Sequence, residues 1–233
     1  MDTLDIKYIF TLTNAKQVIF DLKLNSKTLE LYGNEPPKRP DWTRLENKKC
    51  PNCTLDPKEH SHCPLAGNLV NVVEKFAQIL SFEESHVEVV THKRTITLDT
   101  TAQKGIAALM GLISATSGCP HTRFFKPMAR FHLPFADHLE TTYRSASMYL
   151  LGQYFKKQQG EPVNLDLKGL AAIYNEVQTV NTFVSARLRD AATEDSANNA
   201  LVLLDIHTKL IPFAILDSLE DVRAYFDVYL EKT

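Results

Sequence analysis

Long apolar runs are missing from this chain. The richest, Gly105 to Ala115 and Leu201 to Leu204, fall far short of the ~20 residues that a membrane-spanning helix needs. A surplus of charge of one sign is missing too. Twenty-six Lys and Arg face 28 Asp and Glu, a net charge of −2, so no global basic field draws in nucleic acid or an anionic membrane. There is no low-complexity segment and no internal repeat. Residues Met1-Asp2-Thr3-Leu4-Asp5 carry two acids and no apolar core, unlike a secretory signal. These absences place the expected protein in the cytoplasm. The signatures of several enzyme classes are absent as well. No His-Glu-x-x-His occurs, nor the His-x-Glu with Pro-Cys-x-x-Cys of zinc deaminases. Gly118 has no partner glycines for a phosphate loop, and no Ser-His-Asp order stands out.

What remains is ordinary globular composition, with 44% hydrophobic and 23% charged residues in 233. That length suits one large domain or two modest ones.

Residues 5 to 33 alternate with period two. Ile6, Tyr8, Phe10 and Leu12 lead to a turn at Asn14-Ala15. Val18, Phe20, Leu22 and Leu24 lead to a second turn at Asn25-Ser26, with Leu29 and Leu31 beyond. The pattern predicts an antiparallel meander with one buried face. Residues 34 to 64 are proline-rich and irregular, a loop that needs something to tie it down. From Ala66, Leu69, Val72, Val73, Phe76 and Leu80 mark an amphipathic helix. Val87, Val89, Ile96 and Leu98 flank a turn at His92-Lys93-Arg94, a second hairpin. Thr100 or Thr101 can cap a helix with Ile106, Leu109, Met110 and Ile113 inward, ended by Gly118.

Residues 119 to 136 read as irregular. Four helices follow. One has Leu139, Tyr143, Ala146 and Leu150 on one face. A long one runs from Leu170 to Leu188. A third spans Leu201 to Lys209. The last opens on a capping pattern at Ser218-Leu219-Glu220-Asp221, with Val222, Phe226 and Leu230 inward. The fold class is α+β: an N-terminal antiparallel sheet with flanking helices and a metal-bound loop, then an all-helical part. The expected division is 1–118 and 119–233, with room for both to pack as one unit.

The chemistry concentrates in cysteine. Cys50-Pro51-Asn52-Cys53 is followed by His60-Ser61-His62-Cys63, and Cys119 lies in Gly118-Cys119-Pro120-His121. Cytoplasmic thiols stay reduced, so paired cysteines read as ligands or redox groups rather than disulfides. Cys-x-x-Cys places two thiolates on one turn, as in a zinc knuckle. Cys63, or His62 in its place, gives a third ligand. Cys119, or His121 in its place, gives the fourth across an interval of 55 residues. Four thiols with no accompanying general base favour a closed, structural zinc site over a catalytic one. The same cysteines would also serve an iron–sulfur cluster, or leave Cys50 and Cys53 as a thiol pair.

A second feature is basic and aromatic. Arg123, Lys126 and Arg130 interleave with phenylalanines between His121 and Phe135, with His132 in the same run. Such a pattern can hold an anionic ligand or stack bases, though the phenylalanines read first as core and the cations as its solvated rim. His132, Asp137, His138 and Glu140 do not make a second metal cluster, because side chains two apart on a helix diverge.

The Cys-Pro-x-Cys…His-Cys-Pro-Leu loop, the Ser117-Gly118-Cys119-Pro120 turn, the run Lys126 to Phe135 and Ser147-Met148-Tyr149-Leu150-Leu151 together resemble a group of uncharacterised bacterial proteins, over about residues 40 to 155. The resemblance implies no activity. The expected function is that of a non-catalytic, metal-stabilised interaction or regulatory protein, meeting a partner protein or a small anionic ligand around Trp42 and residues 121 to 132. A redox or iron–sulfur enzyme with an anionic substrate, and a nucleic-acid binder, are the alternatives.

Overall fold

A computed structural model describes residues 2–34, 36, 38–77, 79, 80, 82–191 and 219–230. Five strands form one antiparallel sheet in the order β3-β2-β1-β4-β5. They are β1 (Thr3–Leu12), β2 (Gln17–Asn25), the two-residue β3 (Leu31–Tyr32), β4 (Glu84–Thr91) and β5 (Thr95–Thr101). Both hairpins lie where the alternation places them.

The register makes the sheet one-sided. Tyr8 pairs with Phe20 on β2 and with Val89 on β4, and Phe10 pairs with Val18 and Val87. These side chains share one face and are all buried, while Lys7, Asp21 and Lys23 take the other face and are exposed. A shift by one residue would turn the whole apolar set to solvent, which is why the pairing is specific.

Two helices cover the apolar face. Pro64 opens α1 (Pro64–Phe76), where its missing N–H costs nothing. Phe76 stacks on Phe20, with centroids 5.6 Å apart, and meets Phe10 edge-on at 5.0 Å. The second helix, α2 (Ala102–Thr116), lies closer still. A Cβ on Gly105 would stand 2.6 Å from Phe10 Cε1 and 2.9 Å from Val87 Cγ2, so only glycine allows this approach. Thr101 occupies the N-cap position of α2, but its hydroxyl makes no capping bond. The helix ends as expected, with Gly118 at a φ of +88°.

The segment after Gly118 is more regular than its prolines suggest. A 3-10 turn (Thr122–Phe125) leads into a short α3 (Lys126–Arg130). Pro127 sits in the first turn of α3, where proline starts a helix rather than breaking one. A capping box opens α4 (His138–Gln158): Glu140 N–H donates to Asp137 Oδ1 at 2.8 Å, and Asp137 N–H donates to Glu140 Oε2 at 2.9 Å. The long α5 (Lys168–Ala191) follows, then α6 (Leu219–Arg223) and α7 (Asp227–Leu230).

The face of α4 is a correction to the periodicity. Ala146 is buried, but with Thr142, Ser145, Tyr149 and Gln153 rather than with Tyr143 and Leu150, which are exposed. The helix has almost no apolar asymmetry, so its neighbours decide which side faces in. Val222 is buried as expected, whereas Phe226 and Leu230 are exposed. The expected helix at Leu201 to Lys209, and Ser218 of the expected cap, lie outside the described residues.

One core runs through both halves of the chain. Val180, Val184 and Leu188 of α5 belong to the same buried cluster as the sheet, α1 and α2. Trp42, expected near a partner surface, is buried in that cluster too.

Candidate metal centre and neighbouring cavity

The loop from 40 to 63 has little regular structure, yet its backbone is well tied. A 3-10 turn (Asp41–Thr43) begins it. Leu45 N–H donates to Ser61 O at 3.0 Å, and Cys63 N–H donates to Thr43 O at 2.8 Å, on either side of an isolated antiparallel bridge between Arg44 and His62. This short ladder carries Cys63 to the N-cap of α1. Cys50 and Cys53 flank a tight turn, closed by Cys53 N–H donating to Cys50 O at 3.0 Å.

Cys119 arrives from the C-terminal end of α2. The left-handed Gly118 redirects the chain after α2 and lies against Pro64, whose Cβ would be 3.8 Å from a Cβ built on Gly118. The two segments are also tied through His121, whose Nε2 stands 2.6 Å from Asn52 O. Asn52 Nδ2 in turn donates to Glu176 Oε2 on α5 at 2.6 Å.

All four thiols are free; Cys50, Cys63 and Cys119 are buried in the main core, and Cys53 packs against it partly buried. Their proximity shows in their electrostatics. Burial first, then the neighbouring Cys63, Cys119 and Cys53, push the Cys50 thiol up to about 12. Burial also raises Cys63, but the N–H groups of Ala66 and Leu65 face its sulfur and oppose the rise. They do so without a formed side-chain cap bond at this helix end. A helix N-terminus favours a thiolate in this way. Among the described residues, no group of three or more His, Cys, Asp or Glu side chains forms a ready-made metal cage. Of the alternate ligands, His121 has its ring occupied by Asn52 O and, at 3.5 Å, by Glu176, while His62 Nδ1 meets Ser61 Oγ at 2.9 Å.

The residue that composition and spacing did not single out is Arg187. It is fully buried on α5, with no exposed surface. Its Nη1 donates to Trp42 O at 3.2 Å and to Arg44 O, and its Nη2 donates to Leu45 O at 2.8 Å. Nε is buried with no partner, and no carboxylate pairs with the guanidinium among the described residues. Its charge favours the thiolate forms of both Cys50 and Cys63. In the sequence it is one cation of the run Arg187-Leu188-Arg189, and only its place at i+3 from the apolar Val184 hints at burial.

The basic aromatic run does not converge on one site. Arg123 is exposed. Lys126 pairs with Glu30 at 3.6 Å, and Arg130 lies over the Phe131 ring. His132 turns inward, with Nε2 2.5 Å from Tyr8 Oη. Burial, with a smaller push from Arg144, lowers His132 to about 4, so the ring is neutral near neutral pH. Burial also raises Tyr8 well above the usual tyrosine range. Tyr8 O–H therefore donates to the imidazole.

His132 also lines an open cavity of about 300 Å³. Ala107, Gly111 and Ala115 of α2 form one wall, Arg144 of α4 stands at another, and Tyr174 and Gln178 of α5 close a third. Of the cationic candidates only His132 reaches it.

A one-sided antiparallel sheet covered by helices, with a buried cysteine loop packed against α5, defines an α+β protein. No helix among the described residues is long and apolar enough to cross a membrane. The chain belongs to the family described as domain of unknown function DUF6901, which matches residues 6–227. No curated protein and no solved structure matches the chain.

Proposed function

We propose that this is a metal-stabilised, non-catalytic interaction or regulatory protein of the cytoplasm, in which Cys50, Cys53, Cys63 and Cys119 hold one structural zinc ion. The observation that carries this reading is the buried Arg187 guanidinium, whose charge acts on the Cys50 and Cys63 thiols. An uncompensated buried cation costs several kcal/mol. Four thiolates around a divalent zinc leave two negative charges, which would supply the counter-charge that Arg187 lacks among the described residues. Zinc would also remove the thiol protons that burial otherwise holds so firmly on Cys50, and those protons would be released to solvent. Closing a tetrahedral set at about 2.3 Å per sulfur would draw the four side chains together from their present positions. The N–H groups at the start of α1 support a thiolate at Cys63 in the same arrangement.

A closed site of this kind stabilises a fold and does no chemistry of its own. The loop it would fasten runs directly beneath α5 and ties the two halves of the chain. Elemental analysis of anaerobically purified protein, with an absorbance spectrum of the same sample, tests the reading. About one zinc per chain without a visible band supports it. Iron with a broad visible absorbance moves the same cysteines to an iron–sulfur cluster and redox chemistry. Absence of any metal overturns it and leaves Cys50 and Cys53 as a thiol pair.

A further inference from the structure

We propose that the cavity between α2 and α5 binds a small, mainly apolar molecule bearing one carboxylate, with Arg144 as the carboxylate's partner. This is a second site, independent of the cysteine cluster.

Three observations converge on it. The first is shape. A volume of about 300 Å³ lies at the lower end of small-ligand pockets, and alanine, leucine, methionine and phenylalanine make up half of its lining residues, with several polar side chains among the rest. The second is charge. The cations Lys104 and Arg144 line the cavity beside the neutral His132, and among the described residues no Asp or Glu does. Arg144 is half-buried, and its hydrogen bonds leave from Nη2 alone, to Met128 O at 3.1 Å and Phe131 O at 3.0 Å. The rest of its guanidinium edge has no described partner. Glu140, the acid whose charge acts on Arg144, holds Asp137 N–H in the α4 cap. A planar guanidinium with a free edge at the wall of an apolar cavity matches a carboxylate in geometry and charge.

The third observation is Gly111. It lies in the interior of α2, where alanine is the more stable residue. A Cβ built there meets nothing within 4 Å, so neither packing nor backbone conformation requires glycine. This contrasts with Gly105 on the same helix, which the sheet requires. Gly111 is itself exposed and lines the cavity, so a side chain there would project into the cavity's open side.

Isothermal titration of the full chain with decanoate and with 2-naphthoate tests the proposal, against decanol and 2-naphthol as neutral counterparts. At least one acid is expected to bind, about tenfold or more tighter than its alcohol. Gly111→Leu should abolish that binding while melting at or above the parent temperature. Arg144→Met should remove the preference for the acid. Because Arg144→Met also deprives two carbonyls of a donor, the Gly111→Leu variant keeps the test decisive if the former misfolds. Binding of neither acid overturns the proposal. So does binding that Gly111→Leu leaves intact, equal affinity for acid and alcohol, or a self-association of the chain that Gly111→Leu abolishes.

Discussion

Arg187 and Cys63 are held together through the backbone of one short segment. The guanidinium takes the carbonyls of Trp42, Arg44 and Leu45, and the carbonyl between them, Thr43 O, accepts the Cys63 N–H. A cation from α5 is thus fixed beside a thiol at the start of α1. Arg187→Met removes both the charge and the donors. Zinc affinity, measured by competition with a chromophoric chelator, should fall about 10–100-fold, as when other supporting partners of metal ligands are lost. Unchanged affinity would separate Arg187 from the cysteine cluster.

Cys53→Ser should leave a loop that no ion can close. The variant is expected to melt well below the parent, and a strong chelator should bring the parent down to the variant's level. Equal melting temperatures for parent and Cys53→Ser, with and without chelator, would remove the structural role of the site.

His132 gives the fold an acid limit. Its folded value of about 4 lies below the ordinary histidine value near 6.5, so the unfolded chain binds the proton more readily. Stability is therefore fully present above about pH 6.5 and is lost as the pH falls towards 4. The largest possible loss from this one group is roughly 3 kcal/mol. Urea titrations at steps through that window should show the decline, and His132→Gln, which keeps an acceptor for Tyr8 but cannot titrate there, should flatten it.

The two glycines of α2 should answer alanine in opposite directions. Gly105→Ala drives a methyl into Phe10 and Val87, and overpacking of that kind costs about 1–3 kcal/mol. Gly111→Ala adds a methyl to open space and removes a helix-interior glycine, worth about 0.5–1 kcal/mol of stability. Chemical denaturation of the two variants reads both signs. Destabilisation by Gly111→Ala would mean that the cavity wall is not open there.

The sequence by itself determined what depends on near neighbours. Period two fixed both hairpins and the buried face of the sheet, because alternate side chains on a strand point to opposite sides. Gly118 marked a helix end through its backbone freedom. The Cys50 to Cys63 spacing was legible for the same reason. Only the tertiary structure brought Cys119 to that loop, across 55 residues, and only it chose Arg187 over Arg189 as the cation to bury. It also turned α4 so that Thr142 and Ser145 face in while Tyr143 and Leu150 face out, since a helix with so little apolar asymmetry takes its orientation from what packs against it. The cavity belongs to the same class. Gly105 and Gly111 look alike in the sequence, and what distinguishes them is the sheet beneath one and the open space beside the other.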